Sequence, residues 1–255
     1  MRRYLAAPLL LLAGGLSFAL QGIGVAPPRE ELRLSPGAYK TVEVKVFTTE
    51  EAALQVSSRV IDWTMKPDGT VVEVPRGSQP YSARNWIQTS LDPFAITKDR
   101  YHRIRVTVRV PDDPGLSGSY WTALQFVTTP PNPDPASTVV IRVAANYIVY
   151  VTIAGSERPG ARILRFDREN DGFVLDVANT GNTYLRLRGE LRFLDERGRV
   201  LRSLPIPERV VLREGIARMR LSGSWPAEAA LAAVELVSTK PVPLPYRLYA
   251  ELPLK

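Results

Sequence analysis

Thr138-Val139-Val140-Ile141-Arg142-Val143-Ala144-Ala145-Asn146-Tyr147-Ile148-Val149-Tyr150-Val151-Thr152-Ile153 decides the fold. Its odd positions are all apolar, and its even positions include Arg142, Asn146 and Thr152. Successive side chains of a strand point to opposite faces, so period-two alternation predicts a β-strand. Val140, Ile148 and Tyr150 keep the second face partly apolar as well. The run is about three times the usual strand length. Such a strand either serves two domains in turn or offers part of itself to another molecule. In the first reading Val139 to Ala145 pack in one sandwich and Tyr147 to Ile153 lead across to a second. In the other, the leading residues are lent to a partner.

Outward from this run the chain reads as strand, turn, strand. Tyr39 to Phe47 alternates Val42, Val44 and Val46 with Glu43 and Lys45. Ile104, Val106, Val108 and Val110 point inward, with Arg103, Arg105, Thr107 and Arg109 outward. Pro67-Asp68-Gly69 and Asn170-Asp171-Gly172 are turn signals, the second for a hairpin. Leu185, Leu187, Leu191 and Phe193 face inward in a later strand, with Arg186, Arg188 and Arg192 expected outward, where charge discourages edge-to-edge association. Val200 to Leu204 and the stretch near Val210 read as separate strands. Ser224-Trp225-Pro226 before an alanine-rich stretch predicts one short helix. Trp63, Trp86 and Trp121 are read as core or near-core, and Tyr120 after Gly118 as a tyrosine corner. Short strands with turn signals every 8–12 residues indicate an all-β protein of two tandem immunoglobulin-like β-sandwich domains. We place these at residues 26–153 and 161–255.

The chain has 255 residues, no cysteine, and one histidine, His102. Thiolate nucleophiles, disulfides and sulfur-ligated metals are excluded. A triad or zinc site has no residues to build it, so no enzyme, metal or cofactor is expected. The net charge of +7 comes mostly from arginine spread over strands, without the basic stripe of interleaved aromatics that nucleic acid requires. Met1-Arg2-Arg3 and the apolar run Leu5 to Leu20 read as an export signal, with Ser17-Phe18-Ala19 as its end, at residues 1–19. The folded part is therefore expected in the periplasm or another extracytoplasmic space. Membrane attachment is expected only if that segment is uncleaved. The oligomeric state is not readable.

Leu34-Ser35-Pro36-Gly37, Asp62-Trp63 ahead of Asp68-Gly69, Pro111-Asp112-Asp113-Pro114-Gly115, Gly118-Ser119-Tyr120 and the long strand occur in that order. Together they resemble the N-terminal domain of the PapD-like periplasmic pilus-assembly chaperones. The resemblance implies that the long strand is lent to a pilin-like or envelope subunit by β-strand addition. The lent residues would be Val139, Ile141 and Val143, with Ala145 following. In that family an arginine and a lysine anchor the subunit's terminal carboxylate. Leu32 and Ile148 stand at those positions here, so the candidate polar anchors are their neighbours Arg33 and Asn146. The alternative is a structural or adhesive cell-envelope protein built of the same modules.

Overall fold

The computed structural model describes residues 22–129, 142–169, 171–241 and 245–254. It is built of strands, in two successive β-sandwiches. The first comprises β1 (Ile23–Ala26), β2 (Arg29–Leu34), β3 (Tyr39–Thr48), β4 (Leu54–Met65), β5 (Val71–Val74), β6 (Ile87–Gln88), β7 (Phe94–Ile96), β8 (His102–Arg109), β9 (Ser119–Thr129) and β10 (Ala144–Ile153). One sheet has the order β1-β3-β8-β6, and the other β2-β10-β9-β4-β5 with β7 on β4. The N-terminal chain changes sheets at the cis Ala26–Pro27 bond. β1 pairs antiparallel with β3, and β2 then pairs parallel with β10.

The core between these sheets follows the alternation. Val44, Val46, Ile104, Val106, Val108 and Val110 meet Tyr147, Val149, Val151 and Ile153 there. β10 therefore lies wholly in the first sandwich. Its second half does not lead across to the other one, because its odd side chains fill this core and its even backbone groups pair with β2. Residues 154–160 make the crossing, with Gly155 at φ +80°.

The second sandwich stacks β11 (Ala161–Glu169), β12 (Gly172–Asn179) and β15 (Ile216–Ser222) against a sheet of order β14-β13-β16-β17. The members of the latter are β13 (Leu185–Leu194), β14 (Val200–Val211), β16 (Leu231–Ser238) and β17 (Tyr246–Pro253). Leu185, Leu187, Leu191 and Phe193 are fully buried in its core. Glu169 pairs with Gly172, the two-residue hairpin the sequence signals.

Two expectations fail here. Ser224 to Ala230 forms an irregular turn closed by Ala229 N–H to Pro226 C=O at 3.0 Å, not a helix. Few residues connect β15 to β16, and burial of Ala229 outweighs alanine's helical preference. Val200 to Val211 is one strand, not two. It runs through Pro205 and Pro207, which an edge strand tolerates because it has a flank with no ladder to supply.

Candidate functional site

The two sandwiches meet through the outer face of the β10 sheet. Ile61, Trp63, Trp121, Ala123 and Tyr150 of the first pack against Tyr184 and Leu212 of the second as a core of their own. Trp63 lies 6.1 Å from Tyr150 and 6.3 Å from Trp121, and Tyr150 lies 4.5 Å from Tyr184. The Trp121 indole N–H donates to the Trp63 carbonyl at 2.8 Å. Trp63 and Trp121 are thus buried between sandwiches, whereas Trp86 belongs to the first core. Tyr120 sits 4.6 Å from Trp86.

One charged cluster is sealed into this junction. Arg186, expected outward, is 6% exposed. Its Nε lies 2.7 Å from Glu31 Oε1 on β2, and its Nη1 2.6 Å from Glu208 Oε1. The guanidinium also faces the rings of Tyr150 and Tyr184. Burial opposes its charge, but Glu31 and Glu208 outweigh that, and its pKa is raised. Burial likewise pushes the Tyr150 phenol up to about 12. Alternation assigned Arg186 to the right face, but that face is covered by the other sandwich.

β10 is paired unevenly along its length. Against β9 it is continuous from Ala144 to Thr152. Against β2 it is paired only from Ile148, opposite Arg29, to Ile153. The Thr128 N–H donates to the Val143 carbonyl at 2.9 Å, which makes the odd residues the ones bonded to β9. The even ones point the other way, as the Ile148 N–H to Pro28 C=O bond at 3.1 Å confirms. The backbone groups of Ala144 and Asn146 therefore face a flank on which no strand is paired with them among the described residues. This is an open sheet edge two ladder positions long.

Val143 and Ala145 are half-buried at this edge, and Asn146 is exposed. Val139 and Ile141 lie outside the described residues. Arg33 sits beside Thr152, six residues along the strand from Asn146, roughly 20 Å. The structure does not bring these two together. Arg33 is bound to Glu157 of the crossing segment, Nε to Oε1 2.5 Å. Burial is the largest single effect on Glu157 and opposes its charge, but the hydrogen bond and charge of Arg33 together with backbone donors outweigh it, and the carboxyl's pKa is lowered. Leu32 is buried in the first core.

Where the pairing with β2 ends stands a further cation, Arg29, which alternation does not single out. It stands opposite Ile148, and its side chain is 48% exposed, with Nε 3.1 Å from Glu31 Oε1. Lys240, from the second sandwich, reaches Glu31 Oε2 at 3.5 Å. Parallel partners share a face, so Arg29, Glu31 and Arg33 all project toward the second sandwich. Among the described residues no group of acidic, histidine or cysteine side chains could hold a metal ion.

No protein-family model matches the sequence, and no curated protein matches it. Solved structures do. The chain is similar to the class 5 fimbriae chaperone CfaA, with TM-score 0.51 and 9% identity over 91% of this chain and 100% of that one. It is also similar to a chain of a chaperone–tip adhesin complex of CFA/I fimbriae biogenesis, with TM-score 0.50 and 11% identity over 91% and 99%. The fold is that of the fimbrial chaperones, and the likeness spans both sandwiches. At these identities it establishes architecture alone.

Proposed function

We propose that the chain is an extracytoplasmic assembly factor that holds a pilin-like or envelope protein subunit by β-strand addition at the open flank of β10. The observation that supports it most is the half-paired strand: doubly bonded from Ile148 onward and singly bonded at Ala144 to Tyr147. The fold, shared with solved fimbrial chaperones, supports the same reading. An incoming strand would complete the ladder at Ala144 and Asn146 and seat side chains against Val139, Ile141, Val143 and Ala145.

Magnitudes indicate what else is needed. Burying three aliphatic side chains yields roughly 5–9 kcal/mol gross. Association costs about 4–15 kcal/mol. A charge-assisted hydrogen bond adds about 1.5–3 kcal/mol. Strand addition alone is marginal, so a cation at the edge decides the balance. Arg29 fills that role, with Lys240 beside it, in place of Arg33 and Asn146.

The test uses backbone chemistry. Proline has no N–H, so Asn146→Pro removes a donor that faces only the open flank. Ala145→Pro removes one that bonds β9. Asn146→Pro should leave the Tm within a few degrees and abolish recovery of a bound subunit from the native envelope. Ala145→Pro should unfold the first sandwich. Undiminished recovery by a folded Asn146→Pro variant would refute strand addition and leave a structural envelope module.

A further inference from the structure

Several arginines on the outer faces of the second sandwich are paired with carboxylates. Arg192 meets Glu190 and Glu235, Arg247 meets Glu235, Arg218 meets Asp176, and Arg220 meets Glu169. The outer face of the β1-β3-β8-β6 sheet departs from this. Its register sets Tyr39 opposite Arg109, Glu43 opposite Arg105, and Lys45 opposite Arg103. Four cations thus share one carboxylate on these strands, Glu43, which lies 3.3 Å from Arg103. Among the described residues Lys45, Arg105 and Arg109 have no carboxylate within ion-pair distance. Like charges placed directly opposite one another destabilise a sheet. Lys45 and Arg103 are such a pair, each 5.1 Å from the Tyr101 ring. Contacts with the Tyr101 ring offset part of that cost.

We propose that this face docks on an anionic bilayer surface, with lipid phosphates as the groups its cations meet. Arg103 to Arg109 span roughly 20 Å of an open sheet face, a shape suited to a plane. Tyr39, Tyr101 and Phe47 project at its two ends, 60%, 45% and 38% exposed, as amphipathic and apolar rings do at a membrane interface. Arg109 covers the Tyr39 ring at 4.7 Å, and Lys45 and Arg103 cover Tyr101. The ring faces turned to these cations are taken, which leaves less of each ring for stacking by sugars of an acidic polysaccharide. Gly22 is tied to this sheet's Phe47 end, its N–H donating to Glu50 Oε1 at 3.2 Å and its carbonyl accepting from Thr48 Oγ1 at 2.8 Å. The chain that carries the apolar run Leu5 to Leu20 joins the fold there.

The experiment compares partition of the full chain onto vesicles of phosphatidylcholine alone and of phosphatidylcholine with phosphatidylglycerol, at low salt. Each basic residue near an anionic surface is worth about five-fold in partition. The triple variant Arg103→Gln, Arg105→Gln, Arg109→Gln should lose about 100-fold of the preference for anionic vesicles. Arg188→Gln, Arg192→Gln, Arg220→Gln lowers net charge equally on other faces and should retain most of it. Melting curves confirm that both variants fold. Equal partition of the unaltered chain onto both vesicles, equal loss in the two triple variants, or tighter binding to soluble polygalacturonate than to anionic vesicles would each overturn the proposal.

Discussion

Arg186 of β13 and Glu31 of β2 form an ion pair across the boundary between the two sandwiches, with Nε 2.7 Å from Oε1. Each charge also has a partner on its own side, Arg29 for Glu31 and Glu208 for Arg186. The pair therefore couples the position of β2, and so of its partner β10, to the second sandwich.

Removing one member strands the other. Glu31→Gln leaves the Arg186 guanidinium buried with Glu208 as its remaining carboxylate, and should cost about 2–3 kcal/mol. That corresponds to a Tm loss of roughly 5–10 °C for a chain of this size. Replacing both partners by Glu31→Gln and Arg186→Met should cost less than Glu31→Gln alone, since no buried charge remains. Thermal melts of the two variants check this.

Gly118 is fixed by geometry at the same junction. Its φ is +74°, and a Cβ there would stand 2.0 Å from the Asn182 carbonyl oxygen, the acceptor of the Ser119 N–H. Gly77 has φ +79° with nothing within 4 Å of a Cβ. Gly77→Ala should cost about 1 kcal/mol, the left-handed backbone penalty alone. Gly118→Ala should cost about 3 kcal/mol or more, because backbone must move and a buried hydrogen bond is lost. Denaturant melts should separate the two clearly.

Acid should weaken the second sandwich through Asp176. Two hydrogen bonds from Arg218, each 2.8 Å, hold its pKa below the ordinary 3.8 against the opposing effect of burial. A lowered folded pKa adds stability that is fully present above 3.8 and is lost as pH falls through the folded value. Asp176→Asn should therefore be less stable than the parent at pH 6, with the gap closing below pH 4. Melts across that range read the difference.

Period-two alternation made the two cores legible, down to Val149, Val151, Leu187 and Phe193. It says which face a side chain occupies and nothing about what covers that face. Alternation therefore places Arg186 in solvent and Trp63 in or near a core, whereas both belong to the junction. A signal was present: Val60, Ile61 and Trp63 run nearly without polar interruption, and Ile148 and Tyr150 make the second face of β10 apolar, both marks of two-sided burial. Asp62 within that run is buried, its carboxylate accepting from Ser82 Oγ at 2.5 Å and Gly77 N–H at 3.0 Å. Arg29 escaped notice because its significance lies in register with Ile148, and parallel register between distant strands leaves no local trace.

Hydrogen exchange at four neighbouring amides tests the central claim most directly. In the isolated chain Ala145 and Tyr147 should exchange slowly and Ala144 and Asn146 fast. With the subunit bound, all four should be protected. Protection of Asn146 already present in the isolated chain would mean that the flank is closed by the protein itself, and strand addition would have no edge to use.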